Sequence, residues 1–129
     1  MTGLEKFKKV ENFINRIYSS DIVNYGDKSF YPQILKSISN VNLEKFNGSE
    51  LTCDDDTFSK QSLGASINSI SRSLNIPRET IRRKVSELIN LKWAFKYNSQ
   101  LFVSQKWRKK NLENINNIIL EIQKISKGL

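Results

Sequence analysis

Four of the chain's six arginines fall between positions 72 and 83: Arg72, Arg78, Arg82 and Arg83. A guanidinium carries a rigid planar fork of donors that fits phosphate oxygens and, in a bidentate mode, O6 and N7 of guanine. Glu79 lies among them in the run Arg78-Glu79-Thr80-Ile81-Arg82-Arg83. A carboxylate can accept a hydrogen bond from the cytosine amino group, which accounts for an acid on a face otherwise suited to phosphate. It also suits the first turn of a helix, where the macrodipole favours it. Thr80 and Ser86 carry hydroxyls able to bond phosphate without charge. The plainer reading of the whole run is a solvated helix face.

The charge balance favours an anionic partner. The chain has 129 residues with 21 Lys and Arg against 13 Asp and Glu, a net +8. Residues 64–110 hold eleven of those cations and two of the acids, net +9, so the remainder of the chain is close to neutral. Fifteen of the cations are Lys and six Arg; Ile, Asn and Lys are abundant and Ala is scarce, as AT-rich genomes encode. Against that background an arginine cluster reads as a nucleic-acid footprint. Histidine is absent and cysteine occurs once. That excludes Ser-His and Cys-His catalytic pairs, an intramolecular disulfide and most zinc sites. No catalytic constellation is visible, so a binding protein rather than an enzyme is expected, with no cofactor. Three aspartates (Asp54, Asp55, Asp56) follow Cys53 and disfavour its thiolate. Contiguous carboxylates of this kind belong to a solvated loop or a helix start, and no metal is assigned to them. No apolar run exceeds three residues, which argues against a membrane span, and Met1 to Val10 lacks the apolar core of a signal peptide. A cytoplasmic protein is expected.

The elements that would present these residues follow from periodicity. One domain over 1–129 is expected, mainly α with a small β-hairpin. Leu4, Phe7, Val10, Ile14 and Ile17 mark one face of a helix over 4–18, ended by Ser19, Ser20 and Asp21, with a break at Gly26. A second helix begins near Pro32 and runs through Ile34, Leu35, Ile38 and Val41, completing an N-terminal region over 1–43. Residues 44–63, with a turn at Asn47-Gly48-Ser49 and the acidic run, read as a loop that could hold a short helical piece. Ser66 is placed to cap a short helix with Ile67, Ile70 and Leu74 inside. Asn75 tolerates the left-handed conformation of a tight turn. Ile76-Pro77 leads into a helix over 77–90 whose inner face is Ile81, Val85, Leu88 and Ile89. Residues 93–97 and 100–103 read as a hairpin with Asn98 and Ser99 at the tip, closing the 64–103 region. A last helix covers about 105–127 within 104–129. Its seam is Leu112, Ile115, Ile119 and Ile122, flanked by Ile118 and Ile125.

Helix, tight turn, second helix and hairpin is the order of a winged helix-turn-helix. The stretch from Ser66 to Val103 resembles that unit in bacterial transcription regulators, MarR-type proteins and small regulators reading Glu-Thr-Val-Arg-Arg in the second helix. Asn75 stands where Gly is usual, Ser71 supplies the small residue inside the first helix, and Lys92 replaces the Gly often found before the wing. Arg78-Glu79-Thr80-Ile81-Arg82-Arg83 is also similar to the Arg-Glu-Thr-Val-Gly-Arg recognition run of the cyclic-AMP receptor protein family. In that family the first Arg, the Glu and the last Arg read base edges, which the resemblance carries to Arg78, Glu79 and Arg83. No nucleotide-binding barrel is present, so cyclic-AMP sensing does not carry over.

The resemblance implies a sequence-specific regulator of double-stranded DNA. Helix 77–90 would enter the major groove, and wing 93–103 would meet the backbone or minor groove. Lys96, Asn98 and Ser99 are then wing contacts, and Arg72 a backbone contact from the first helix. Lys106, Arg108, Lys109 and Lys110 fit DNA contact and a solvated face equally well. Trp93, Phe95, Phe102 and Trp107 could stack on bases, but as alternating hairpin residues they read as core. By the same resemblance, residues 4–18 and 107–126 would join two copies, setting recognition helices about 34–36 Å apart on a near-palindrome. Both helices folding back onto one copy is the alternative. The resemblance also allows a small-molecule effector pocket where two copies meet, though no residue argues for it. A winged helix binding protein, and a phage or architectural DNA-binding protein, are the competing readings.

Overall fold

The computed structural model describes residues 2–25 and 30–128, the side chains of 16–25 and of 128 excepted. Gly26 and the side chain of Ile17 therefore lie outside the described residues. Among the described residues the elements follow in order: α1 (Gly3–Tyr25), α2 (Tyr31–Glu44), α3 (Asp55–Gln61), α4 (Ile67–Leu74), α5 (Arg78–Asn90), β1 (Ala94–Tyr97), β2 (Gln100–Val103) and α6 (Gln105–Gly128). The mainly helical class with a two-stranded antiparallel hairpin is as expected from the sequence. The chain divides into two compact units. One comprises α1 and α6 from Asn111 onward; the other runs from α2 to Lys110.

One boundary differs from expectation. α1 does not stop at Ser19, Ser20 and Asp21 but continues to Tyr25. Those residues favour helix ends without enforcing them, and neither Pro nor Gly interrupts the segment 19–25. The acidic stretch 44–63 holds a short helical piece, as expected: α3 occupies its second half. Asp54 caps α3 by accepting from the Thr57 N–H at 2.8 Å, which holds its carboxyl below the usual carboxylate range. Asp55 and Asp56 occupy the first turn, where the helix macrodipole favours them.

The central unit is built around α2. Tyr31, Ile34, Leu35, Ile38 and Asn42 are buried at helical spacing, and Pro32 sits in the first turn, where a missing N–H costs nothing. α2 packs on α4, α5 and β2; α4 packs on α5, and α5 on β1. Ile70, Ile81, Val85 and Leu88 complete the helical core, while Ile89, Ile67 and Leu74 are only half-buried. Phe58 and Trp107 close the core from α3 and α6.

In the hairpin Ala94 pairs with Val103, Phe95 with Phe102, Lys96 with Leu101 and Tyr97 with Gln100. Asn98 and Ser99 both have positive φ, 50° and 62°, the requirement of the tight two-residue turn whose twist matches the strands. Ala65 adds a third extended segment, exchanging backbone hydrogen bonds with Leu101 at 2.9 and 2.8 Å.

One buried polar side chain ties these pieces together. Asn42 Nδ2 donates to the carbonyls of Leu63 (2.8 Å) and Leu101 (3.1 Å), and its Oδ1 accepts from Val103 N–H at 3.0 Å. It is fully buried. Asn42→Ala leaves the Val103 N–H without an acceptor in a dry site, so unfolding in denaturant is expected to show a loss of about 2–3 kcal/mol. A loss within about 0.5 kcal/mol, the range of an ordinary surface change, would refute this role.

Candidate nucleic-acid interface

Ser66 and Ser69 form a reciprocal cap on α4: the Ser66 hydroxyl accepts from Ser69 N–H at 3.0 Å, and Ser69 Oγ accepts from Ser66 N–H at 3.2 Å. Asn75 ends α4 in the left-handed region at φ 55°, and its N–H donates to Ser71 O. Pro77 then opens α5, its φ near that of a first helical turn. Ile81, Val85 and Leu88 anchor one face of α5 in the core.

Arg78, Glu79, Arg82, Arg83 and Ser86 are exposed on the opposite face. At 3.6 residues per turn they occupy an arc of about 140°. Thr80 lies at the margin, half-buried, and Arg72 is exposed on α4. Among the described residues no carboxylate pairs with Arg72, Arg78 or Arg83. Arg82 differs: its Nη1 lies 3.0 Å from Glu79 Oε1, one turn back along the helix.

The junction from α5 to the hairpin is short and fixed by backbone. Lys92 N–H donates to Ile89 O and Trp93 N–H to Leu88 O, both at 3.0 Å. Lys92 has φ 68°, so this lysine adopts the left-handed conformation that glycine takes without strain. The hairpin therefore leaves α5 directly. Lys96 on β1 and the tip residues Asn98 and Ser99 are exposed.

Three cations of the basic segment are committed elsewhere. Lys84 is turned inward, its Nζ 5.6 Å from the centre of the Tyr31 ring and 3.9 Å from Glu87. Tyr31 OH donates to Glu87 at 2.8 Å; burial foremost, then that carboxylate, pushes the phenol up to about 12. Lys106 Nζ sits 4.0 Å above the Trp93 ring and donates to Leu91 O. Arg108 is buried and bonded to the backbone of residues 51, 53 and 103. The expected basic cluster at 106–110 thus divides, and Arg108 is neither a solvated residue nor a DNA contact. Nothing in local sequence marks it, because most of its partners lie some fifty positions away.

Of the aromatic residues, Phe102 and Trp107 are buried, and Phe95 stacks on Phe102 at 5.4 Å between ring centres. They serve the core. Among the described residues no group of acids and cysteine is arranged to hold a metal ion, and no helix is long and apolar enough to cross a membrane. Comparison with protein-family models, with curated proteins and with solved structures finds no match for this chain.

Proposed function

We propose that the chain is a sequence-specific double-stranded DNA-binding transcription regulator, in which α4, α5 and the hairpin act as a winged helix-turn-helix. The observation that carries this reading is the outer face of α5. Arg78, Arg82 and Arg83 are exposed together there, on a helix whose inner face is locked into the core. The N-terminal turns of such a helix reach base edges in the major groove, and Arg there can pair with guanine. Lys96, Asn98 and Ser99 on the hairpin then meet the backbone or minor groove. The extended pairing of Ala65 with Leu101 supports the reading, since it fixes the hairpin at the start of α4.

A second copy of the chain is the proposed partner of α1 and α6. Leu4, Phe7, Val10 and Ile14 are exposed along α1, as are Leu112, Ile115, Ile119 and Ile122 along α6. The α6 residues recur at heptad-like spacing, the pattern of helices that pair with their own kind. Residues 111–129 carry two acids and two bases, so no net charge opposes self-association.

Selection of bound sequences from a random duplex pool, followed by titration at several salt concentrations, tests the reading. A recovered motif and a steep fall of affinity with salt are expected. Recovery of no motif with strong salt-dependent binding would instead indicate an architectural protein, and failure to bind duplex at all would indicate a protein-binding module. On the selected duplex, Arg78→Ala or Arg83→Ala is expected to cost about 1–3 kcal/mol and to relax base preference, while Lys96→Ala weakens all duplexes alike. Equal losses on selected and random DNA would remove the base-reading role of the two arginines.

A further inference from the structure

The Glu79–Arg82 pair sets one arginine apart from its neighbours. Both side chains are largely exposed, at 80% and 53%, so the pair adds little to folding. Its geometry is nonetheless defined. Side chains on a helix lean toward its N-terminus, and Arg82, one turn beyond Glu79, reaches back to place Nη1 at 3.0 Å from Oε1. Arg78 and Arg83 have no such carboxylate among the described residues. The run of the cyclic-AMP receptor protein family holds glycine at the position of Arg82, so no role for this residue comes from that resemblance.

We infer that Arg82 is a positioning and specificity-determining residue: it holds Glu79 at the groove-facing turn of α5 and screens it from phosphate, so that the carboxylate accepts from a cytosine amino group. An unscreened carboxylate entering a phosphate-lined groove is repelled by the backbone on both sides. A guanidinium bonded to it removes that repulsion. Glu79 retains a second oxygen, Oε2, for cytosine N4. Arg82 on this account acts through Glu79 rather than as an independent contact. The inference rests on the DNA-binding reading above.

The test is a double-mutant cycle of DNA binding on the full chain, with R82A, E79Q and R82A/E79Q, after confirming unchanged melting temperatures. Each variant is titrated against the duplex selected by the wild type and against duplexes changed one base pair at a time. R82A is expected to lose about tenfold in affinity when Glu79 is present, roughly what one base contact discriminates. In the E79Q background the loss should be much smaller, because no carboxylate remains there to screen. R82A and E79Q should both relax the same C·G position. Equal cost of R82A in both backgrounds, uniform over all duplexes and with a salt slope reduced by about one, would make Arg82 an independent phosphate contact and overturn the inference. Absence of any C·G preference sensitive to Glu79 would overturn it too. If the wild type selects no motif, the DNA-reading premise falls with it; a clear wild-type motif with an additive cycle removes only the role of Arg82.

Discussion

Arg108→Met is expected to lower the free energy of unfolding by about 3 kcal/mol, read from the midpoint of denaturant-induced unfolding at unchanged slope. Arg108 is 5% exposed and its guanidinium is nearly saturated with acceptors. Nη1 donates to the carbonyls of Leu51 and Cys53, each at 2.8 Å, Nε to Val103 O at 3.1 Å, and Nη2 lies 2.6 Å from Asp55 Oδ1. The Phe58 ring lies 3.9 Å beneath it. Burial pulls the Arg108 pKa down, and Asp55 opposes that shift. Methionine fills much of the same volume but supplies no donor, so two carbonyls of the 51–53 turn lose their partner inside the fold. Breaking a fully buried ion pair costs about 3–5 kcal/mol; the Asp55 side chain is 44% exposed and can be partly rehydrated, which places the loss at the lower end. Asp55→Asn should cost less than Arg108→Met, because an amide oxygen can still accept from Arg108 and from Gln105 N–H, which lies 2.7 Å from Oδ1. A loss below about 1 kcal/mol for Arg108→Met would show that solvent replaces the network.

What sequence reasoning reached and missed divides along the range of the interactions. Ser66 as a cap, Asn75 in the left-handed turn and Asn98-Ser99 at the hairpin tip are local choices of backbone chemistry, visible from residue type. The exposed set Arg78, Glu79, Arg82, Arg83 and Ser86 follows from helical period once Ile81, Val85 and Leu88 are taken as core. Asn42 and Arg108 were not legible, since each satisfies acceptors or donors roughly twenty to sixty positions away. An exposed Asn or Arg and a buried one are identical in sequence. The charge count illustrates the same limit. The +9 of residues 64–110 includes Lys84, Lys106 and Arg108, all held by interactions within the fold. The candidate interface is therefore smaller than composition implies: of the eleven cations, Arg72, Arg78, Arg82, Arg83, Lys92, Lys96, Lys109 and Lys110 remain. α1 shows the converse. Its apolar stripe was readable, but its end was not, because Ser19, Ser20 and Asp21 permit a helix as well as terminate one.

Ile119→Glu is expected to abolish self-association and, with it, most of the affinity for a duplex carrying two half-sites. Light scattering at micromolar concentration should find the wild type at twice 15.0 kDa and the variant at 15.0 kDa. Ile119 is 46% exposed at the middle of the α6 seam, between Ile115 and Ile122. Covering such a side chain with a partner contributes about 1 kcal/mol or more, since full burial of an isoleucine is worth about 1.5–3 kcal/mol and roughly half remains to be gained. A glutamate there would instead have to bury charge against apolar residues, once from each copy. Two linked recognition helices gain about 10²–10⁴ in affinity over one through effective concentration alone. Binding to the two-half-site duplex should therefore fall by about a hundredfold or more. Binding to a single half-site should not change, because the outer face of α5 belongs to the unit from α2 to Lys110, whereas Ile119 belongs to the other. A wild type of 15.0 kDa would refute the pairing of copies outright. Equal losses on full and half-sites would mean that Ile119 supports the fold of one chain, and that the exposed stripes are not where two copies meet.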